Sequence, residues 1–93
     1  MEEEAKSQLD EEEVGRVTHF FPKVSAAGIE ITAGTLKVGD TIHIKGHTTD
    51  ITQTIDSMQV DNASVEEAKV GDLVGIKTKD RAREHDIVYR VKS

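Results

Sequence analysis

A four-residue motif that recurs in front of apolar segments is the feature that most constrains the fold of this chain. Lys37-Val38-Gly39-Asp40 and Lys69-Val70-Gly71-Asp72 each precede a short apolar run, and a looser copy, Arg83-Glu84-His85-Asp86, precedes a third. Glycine supplies the positive φ that a tight turn requires, and aspartate binds nearby backbone N–H groups. Three turn-and-strand units in 93 residues predict an all-β fold, a small closed or nearly closed barrel of about six strands.

Apolar and polar residues alternate in the segments around these turns. Ile29 and Ile31 share one face of an extended chain, as do Ile42 and Ile44. Valine, isoleucine and threonine make up 27 of the 93 residues, which favours strands over helices. His85 stands where the other two turns have glycine, which predicts either a strained turn or a turn of another type.

The formal net charge of −6 is confined to the N-terminal end of the chain. Residues 1–13 carry seven acids and one lysine, whereas residues 14–93 carry eleven acids and eleven bases. A block of like charges is typical of a solvated segment, so the sequence predicts a flexible, disordered acidic tail over 1–13 and a barrel over 14–93. Such a tail is either a solubilising leader or an acidic mimic of nucleic acid that covers a basic face.

The chain lacks what membrane insertion, secretion or covalent cross-linking requires. It contains no cysteine, and no segment approaches the roughly 20 apolar residues that span a bilayer. Its first residues form neither an apolar nor a basic leader. We therefore expect a cytoplasmic protein without membrane contact.

Two arrangements resemble chemical sites without completing them. Gly34 to Thr41 has the glycine spacing of a phosphate-binding loop, but Asp40 stands where that loop requires lysine, and a strand follows instead of a helix. His43, His47 and Asp50 have the ligand types of a metal site, although a glycine interrupts the strand between the histidines. Surface histidines beside a turn are the commoner interpretation, so no nucleotide, metal or other cofactor is expected.

No arrangement typical of catalysis is present in the sequence. The serines lack the flanking glycines of a nucleophile elbow, and no cysteine is available as a nucleophile. Adjacent carboxylates occur only in the acidic segment and at Glu66-Glu67, where solvation is the expected state. We therefore expect a protein that is not an enzyme.

Basic residues concentrate in the last 17 positions, which hold six of the eleven bases of residues 14–93. Lys77 and Lys79 share the outward face of an extended strand, and Arg81 and Arg83 continue that line if the chain stays extended. These four residues, the basic strip, suit a phosphate backbone and are candidate RNA-binding residues. The alternative is an ordinary barrel exterior with lysines that protect an edge strand, which the zero net charge of residues 14–93 favours.

A second candidate face for RNA or a protein partner combines Arg16, Thr18, His19 and Phe20 on the first predicted strand. Phe20 and Phe21 point to opposite faces of an extended chain, so we expect one ring in the core and the other on the surface. An exposed ring at this position is suited to base stacking or to protein docking.

Several segments resemble known domains. Five of them resemble, in their order along the chain, the second domain of translational GTPases such as elongation factor Tu: Gly15-Arg16-Val17, Gly28-Ile29-Glu30, Gly34 to Gly46, Ile55-Asp56-Ser57-Met58 and Ala68 to Ile76. Val17-Thr18-His19-Phe20 and Gly46 to Asp50 resemble the similar barrel at the C-terminal end of collagenase-like bacterial peptidases. The resemblance covers roughly residues 14 to 92 and implies a β-barrel fold.

The resemblance and the residues together lead to two functional hypotheses. The first is a non-catalytic accessory module that contacts RNA, a ribonucleoprotein or a ribosome-associated protein of the translation apparatus. In the resembled family the first strand region of the barrel helps to hold the aminoacylated end of tRNA, but the resemblance here covers Gly15-Arg16-Val17 and not the pocket residues, so it does not imply that role for this chain. The alternative is a protein-docking module related to the peptidase-associated barrel. Neither a GTPase domain nor a peptidase domain accompanies the barrel within these 93 residues.

Overall fold

The computed structural model describes residues 11–92, which form ten strands and no helix. The strands are β1 (Glu11–Phe21), β2 (Ala26–Ile31), β3 (Thr35–Lys37), β4 (Thr41–Lys45), β5 (Asp50–Thr54), β6 (Met58–Val60), β7 (Ala63–Val65), β8 (Glu67–Lys69), β9 (Leu73–Lys77) and β10 (Ile87–Val91). In this range no helix is long and apolar enough to cross a membrane.

Eight strands form one antiparallel sheet in the order β5-β4-β10-β1-β2-β9-β6-β7, and β3 pairs with β8 in a separate two-stranded ladder. The all-β prediction is confirmed. Between residues 11 and 92, however, no backbone ladder joins the end strands β5 and β7, so the sheet is not closed by main-chain pairing. The number of strands exceeds the expected six because four of them have only three residues, too few for a clear alternation of apolar side chains.

One side chain connects β5 to β9 across the opening of the sheet. The amide nitrogen of Gln53 donates a hydrogen bond to the backbone oxygen of Lys77 at 2.8 Å. The amide oxygen of the same side chain accepts one from the backbone nitrogen of Lys79, also at 2.8 Å. The Gln53 amide thus makes the donor and acceptor pair that a neighbouring strand would otherwise supply.

A single cluster of buried apolar side chains forms the core, as the alternation in the sequence predicts. Ile29, Ile31, Ile42 and Ile44 each expose 1% or less of their surface. The other members are Val14, Val17, Ala27, Leu36, Ile51, Ile55, Met58, Ala68, Val74, Ile76, Ala82 and Val88. Burial of these aliphatic groups is the main contribution to the stability of a domain that has no cross-links.

The three repeated turns share one hydrogen-bond pattern. In each turn the aspartate carboxylate accepts a hydrogen bond from the backbone nitrogen three residues earlier, at 2.9 Å for Asp40, 2.9 Å for Asp72 and 2.8 Å for Asp86. The residue before the aspartate has a φ of 99°, 96° and 77° in the three turns. His85 therefore adopts the left-handed conformation of the two glycines, which confirms the strained alternative for the third turn.

The first strand begins inside the segment that the sequence assigns to the acidic tail. Glu11, Glu12 and Glu13 pair with β10, and the Glu12 carboxylate contacts Arg90 at 3.0 Å and Lys92 at 3.3 Å. The hydrogen bond from Lys92, followed by that from Arg90, lowers the pKa of Glu12. Because Arg90 and Lys92 are distant from Glu12 in the sequence, the run of acids predicts a solvated segment. The prediction is wrong for its last residues, which belong to β1. The rest of the predicted tail, residues 1–10, lies outside the described residues.

Candidate functional site

The four residues of the basic strip are all exposed: Lys77, Lys79, Arg81 and Arg83. Thr78 exposes 5% of its surface and Ala82 none, but Asp80 is exposed and the chain bends at Lys79 and Asp80, so the alternation of β9 does not continue unbroken to Arg83. Arg81 lies over the ring of Phe20, with its guanidinium carbon 5.9 Å from the ring centre. The strip therefore reaches the second predicted face at Arg81.

Both basic residues of that second face are engaged by carboxylates. Arg16 binds Glu30 at 3.1 Å, and His19 lies 3.5 Å from the carboxylate of Glu84. All four side chains are more than a third exposed, so these pairs add little to stability. A phosphate at this face would have to compete with Glu30 for the Arg16 guanidinium and with Glu84 for a ring nitrogen of His19.

The exposed ring of the aromatic pair is Phe21, whereas the sequence analysis named Phe20 as the candidate. Phe20 lies opposite Ala27 in the register of β1 with β2 and packs against the core. Phe21 lies opposite Ala26, is 49% exposed and contacts the ring of His19 at a centroid distance of 4.5 Å. An irregularity in the pairing between Val17 and His19 sets which ring faces outward, and the sequence alone gives no sign of it.

The candidate metal residues are only partly brought together. The two ring nitrogens of His43 contact Glu11 at 2.8 Å and Asp50 at 2.6 Å, while His47 is exposed and separate from this cluster. Within the described part of the chain, no group of three histidine, cysteine or acidic side chains is arranged as metal ligands. Because both nitrogens of His43 face carboxylates, the ring connects β4 to β1 and β5.

Two carboxylates determine the protonation of His43, whose side chain is only 15% exposed. Burial alone would lower its pKa, but the hydrogen bonds to Asp50 and Glu11 outweigh burial and raise the pKa above the ordinary value of 6.5. Tyr89 lies opposite His43 in the pairing of β10 with β4, with a ring-centre distance of 6.1 Å. We call His43, Glu11 and Asp50 the histidine clamp.

The histidine clamp predicts a pH-dependent stability. Because the pKa of His43 is raised in the folded state, its contribution is complete below pH 6.5 and is lost as the pH rises through the folded pKa. We expect His43→Gln to cost roughly 1.5 kcal/mol of unfolding free energy at mildly acidic pH and much less at alkaline pH. Urea unfolding at both pH values tests this, with the exposed His47→Gln as control; an equal cost for His43→Gln at both would contradict a charged clamp.

An open groove of about 440 Å³ lies on the outer face of β1, β2, β6 and β9; Thr18 and His19 of the second candidate face line it, whereas its other lining residues were not predicted. Its floor is main chain, because Gly28 of β2 and Gly75 of β9 are paired in register. A Cβ atom at Gly75 would meet no atom within 4 Å, and one at Gly28 would meet Thr18 Oγ1 at 3.5 Å. We call this feature the Gly28–Gly75 groove.

The sides of the Gly28–Gly75 groove are apolar and exposed. Phe21 is 49% exposed, Val24 55% and Leu73 60%, and all three line it. Among the described residues, the only other large apolar side chains with such exposure are Val38 and Val70, which belong to the repeated turns. Concentration of apolar surface in one concave region is typical of a binding site.

One sequence signal points to this groove in retrospect. Leu73 and Val74 are adjacent, so only one of them faces the core, and Val74 does so with 1% exposure. The same reasoning applies to Phe20 and Phe21. The register that places Leu73 and Phe21 around the same glycine pair depends on long-range pairing, which no local pattern reveals.

Comparison with known proteins finds sequence similarity to parts of larger proteins named as a protease and a collagenase. The chain is 47% identical over 81 residues to an uncharacterized protease of Methanocaldococcus jannaschii, and 35% identical over 78 residues to a collagenase of Porphyromonas gingivalis. These alignments cover 86% and 83% of this chain but only 20% and 22% of the relatives, so the chain spans about a fifth of their length.

Solved structures with the same fold come from a similar source. The C-terminal domain of a Geobacillus thermoleovorans protein described as a U32 peptidase superposes with a TM-score of 0.80, covering 87% of this chain and 93% of that domain at 18% identity. Its selenomethionine variant gives 0.77. The relatives named here are peptidases and collagenases and not translation factors, which favours the second of the two functional hypotheses.

The family itself is shown by a match over most of the barrel. The sequence pattern of the family described as elongation factor Tu domain 2 matches residues 26–88, which begin at β2 and end within β10. This span contains all three repeated turns and both glycines of the groove floor. The chain therefore belongs to the elongation factor Tu domain 2 family.

Proposed function

We propose that this chain is a non-catalytic docking domain that binds a protein segment of a peptidase-related partner. The observation that carries the proposal is the Gly28–Gly75 groove, which collects three of the five exposed large apolar side chains of residues 11–92. Binding of a partner that removes side chains such as Phe21 and Leu73 from water is favourable, because burial of apolar surface lowers the free energy of the complex.

The kinship of the chain supports this function over an enzymatic one. The chain corresponds to about a fifth of a protease and of a collagenase, and the solved structures it resembles are C-terminal domains of a peptidase. A domain that accompanies a catalytic region, and that presents an apolar groove, is suited to hold another part of the same assembly. We propose the catalytic region of such a peptidase, in the same or another polypeptide, as the partner.

RNA binding is the second candidate function, supported by a separate observation. The basic strip exposes Lys77, Lys79, Arg81 and Arg83, and Arg81 covers the ring of Phe20. A strand of RNA along this strip would contact its phosphates through the lysines. Glu84 lies beside Arg83 in the hollow where the strip meets His19, which weakens the positive field there.

A binding experiment distinguishes the two functions by comparing four forms of this chain: the unaltered chain, Leu73→Asp, Val70→Asp, and Lys79→Glu combined with Arg83→Glu. The partner is the Methanocaldococcus jannaschii relative from which the matched segment has been removed, with single-stranded RNA as the alternative ligand. We expect Leu73→Asp to weaken binding of the relative about tenfold or more, because a carboxylate would have to enter an apolar interface. Val70→Asp is the matched control, since both side chains are 60% exposed but only Leu73 lines the groove.

The fourth form, Lys79→Glu with Arg83→Glu, changes the basic strip and leaves the residues of the groove unaltered. For docking, Lys79→Glu with Arg83→Glu leaves the affinity unchanged, and raising the salt concentration has little effect. For RNA, the same pair of substitutions removes binding, and log Kd rises with log salt by about 0.7 for each phosphate contact. Binding of RNA with that slope, without binding of the relative, would replace docking by the second candidate.

A further inference from the structure

The Gly28–Gly75 groove has an orientation as well as a shape, and its orientation follows from the sheet register. Along β9 the outward residues are Leu73, Gly75 and Lys77, because Val74 and Ile76 between them are buried. Beyond Gly75 the groove continues into a hollow of about 280 Å³ that Lys77, Ser57 and Val24 help to line. From Leu73 to Lys77 the strand rises by roughly 13 Å, the length of about four extended residues.

The two ends of this groove carry opposite charges. Asp61 and Asn62 line it at the Leu73 end, where β6 turns into β7, and Lys77 lines it at the other end. Asp61 and Asn62 have φ values of 54° and 65°, the two positive values of a tight two-residue hairpin turn, which holds Asp61 at the rim. Between residues 11 and 92, neither Asp61 nor Lys77 makes a salt bridge.

From this geometry we infer that the groove binds an extended peptide segment with a basic residue at the Asp61 end, a large apolar side chain over Gly75 and an acidic residue at the Lys77 end. The inference rests on the proposed docking function and specifies the chemistry of the bound segment. The bare main chain at Gly75 leaves space for an apolar side chain between Phe21, Val24 and Leu73. The opposite charges at the two ends then select the flanking residues of the segment.

Three synthetic peptides of about five residues test this inference. All have a central phenylalanine, and their flanking charges are one arginine and one glutamate, two arginines, or two glutamates. We expect the mixed peptide to bind about fivefold more tightly than either of the others, the effect of one exposed charge pair. Binding is followed by the amide NMR signals of Gly28, Gly75 and Gln59, which line the groove.

Substitutions at the two ends of the groove are expected to change which peptide binds most tightly without disturbing the core. Lys77→Glu, on the exposed end of β9, should turn the preference towards the two-arginine peptide by about fivefold. Asp61→Asn keeps a residue that tolerates the left-handed turn, and should weaken the preference for arginine at that end. Gly75→Val fills the floor and should abolish binding of all three peptides, and a thermal melt verifies that the variant is folded.

The outcomes distinguish the inference from the docking function on which it rests. Equal affinity for the three peptides, still lost in Leu73→Asp, overturns the charge orientation and leaves docking in place. No peptide binding, together with binding of the Methanocaldococcus jannaschii relative that Gly75→Val does not affect, overturns the groove as the peptide site. If single-stranded RNA shifts the same three amide signals and the peptides do not, the occupant is a nucleic acid and the inference is wrong.

Discussion

Replacing Gly15 with alanine is expected to destabilise the fold by about 3 kcal/mol, the upper end of what overpacking costs. Gly15 lies in β1 at a register irregularity in its pairing with β10, and it faces Ile31 of β2. A Cβ atom there would overlap the backbone oxygen of Glu30 and approach Ile29 Cγ2 to 3.2 Å. The first obstacle is main chain in the middle of the sheet, so no side-chain rotation relieves it.

Gly75→Ala is the matched control for this substitution. Gly75 is also a strand glycine, but its Cβ would meet no atom within 4 Å. We expect Gly75→Ala to leave stability unchanged or to raise it by about 0.5 kcal/mol, since glycine is entropically costly in a strand. Urea unfolding of both variants provides the comparison. Equal effects would mean that the close approach of β1 to β2 at Gly15 does not exist in solution.

The contrast between Gly15 and Gly75 shows which features of the fold can be predicted from the sequence and which cannot. The repeated turns were predicted correctly because their chemistry is local: a left-handed residue and an aspartate three residues after its N–H partner suffice. Nothing local distinguishes Gly15, which is enclosed by β2, from Gly75, which lies open on the floor of a groove. Only the register of β1, β2 and β9 assigns one to packing and the other to a surface.

The same limitation explains the acidic N-terminal segment. Glu11 and Glu12 follow a run of acids that is typical of solvated residues, but Glu11 contacts His43 on β4, and Glu12 contacts Arg90 on β10 and Lys92 just after it. Charge patterning along a sequence treats neighbours as the relevant charges. In an antiparallel sheet the relevant charges lie across the strand, dozens of residues away.

The sequence predicted which candidate side chains would be exposed, but it did not predict that some of them would line a groove. The outward position of Lys77 and the opposition of Phe20 to Phe21 follow from alternation, and both are observed, whereas the chain bends at Lys79 and Asp80 before it reaches Arg81 and Arg83. The groove formed by Phe21, Val24 and Leu73 combines residues from two strands and a turn that the sequence keeps about fifty positions apart. Family membership identifies the barrel, but it does not identify the partner, which depends on these surface residues.

The second large effect is expected for Asp86→Ala, at about 2–3 kcal/mol of unfolding free energy. The three turn aspartates make the same hydrogen bond, at 2.8 to 2.9 Å, but they differ in burial. Asp86 is 5% exposed, whereas Asp40 and Asp72 are only half-buried. Its carboxylate occupies the space beside Gly46 that a side chain at that position would need.

All three turns are docked by the same pair of backbone hydrogen bonds, to Ile55, to Ile31 and to Val17 of β1, so the third turn differs in the burial of its aspartate. The backbone oxygen of Asp86 accepts a hydrogen bond from Val17 at 2.8 Å, and the backbone nitrogen of His85 donates one to the oxygen of Val17, also at 2.8 Å. Removing the Asp86 carboxylate leaves a void and an unpaired N–H of Arg83 in a partly buried site, whereas water can replace the carboxylate in the other turns.

Asp40→Ala and Asp72→Ala are therefore matched controls for Asp86→Ala, each expected to cost about 1 kcal/mol. Urea unfolding of the three variants compares one hydrogen bond in three environments. Equal losses would show that the bond itself, and not its burial, determines the energy. A larger loss for Asp86→Ala would show that burial makes this hydrogen bond the most stabilising of the three, in the turn that has histidine in place of glycine.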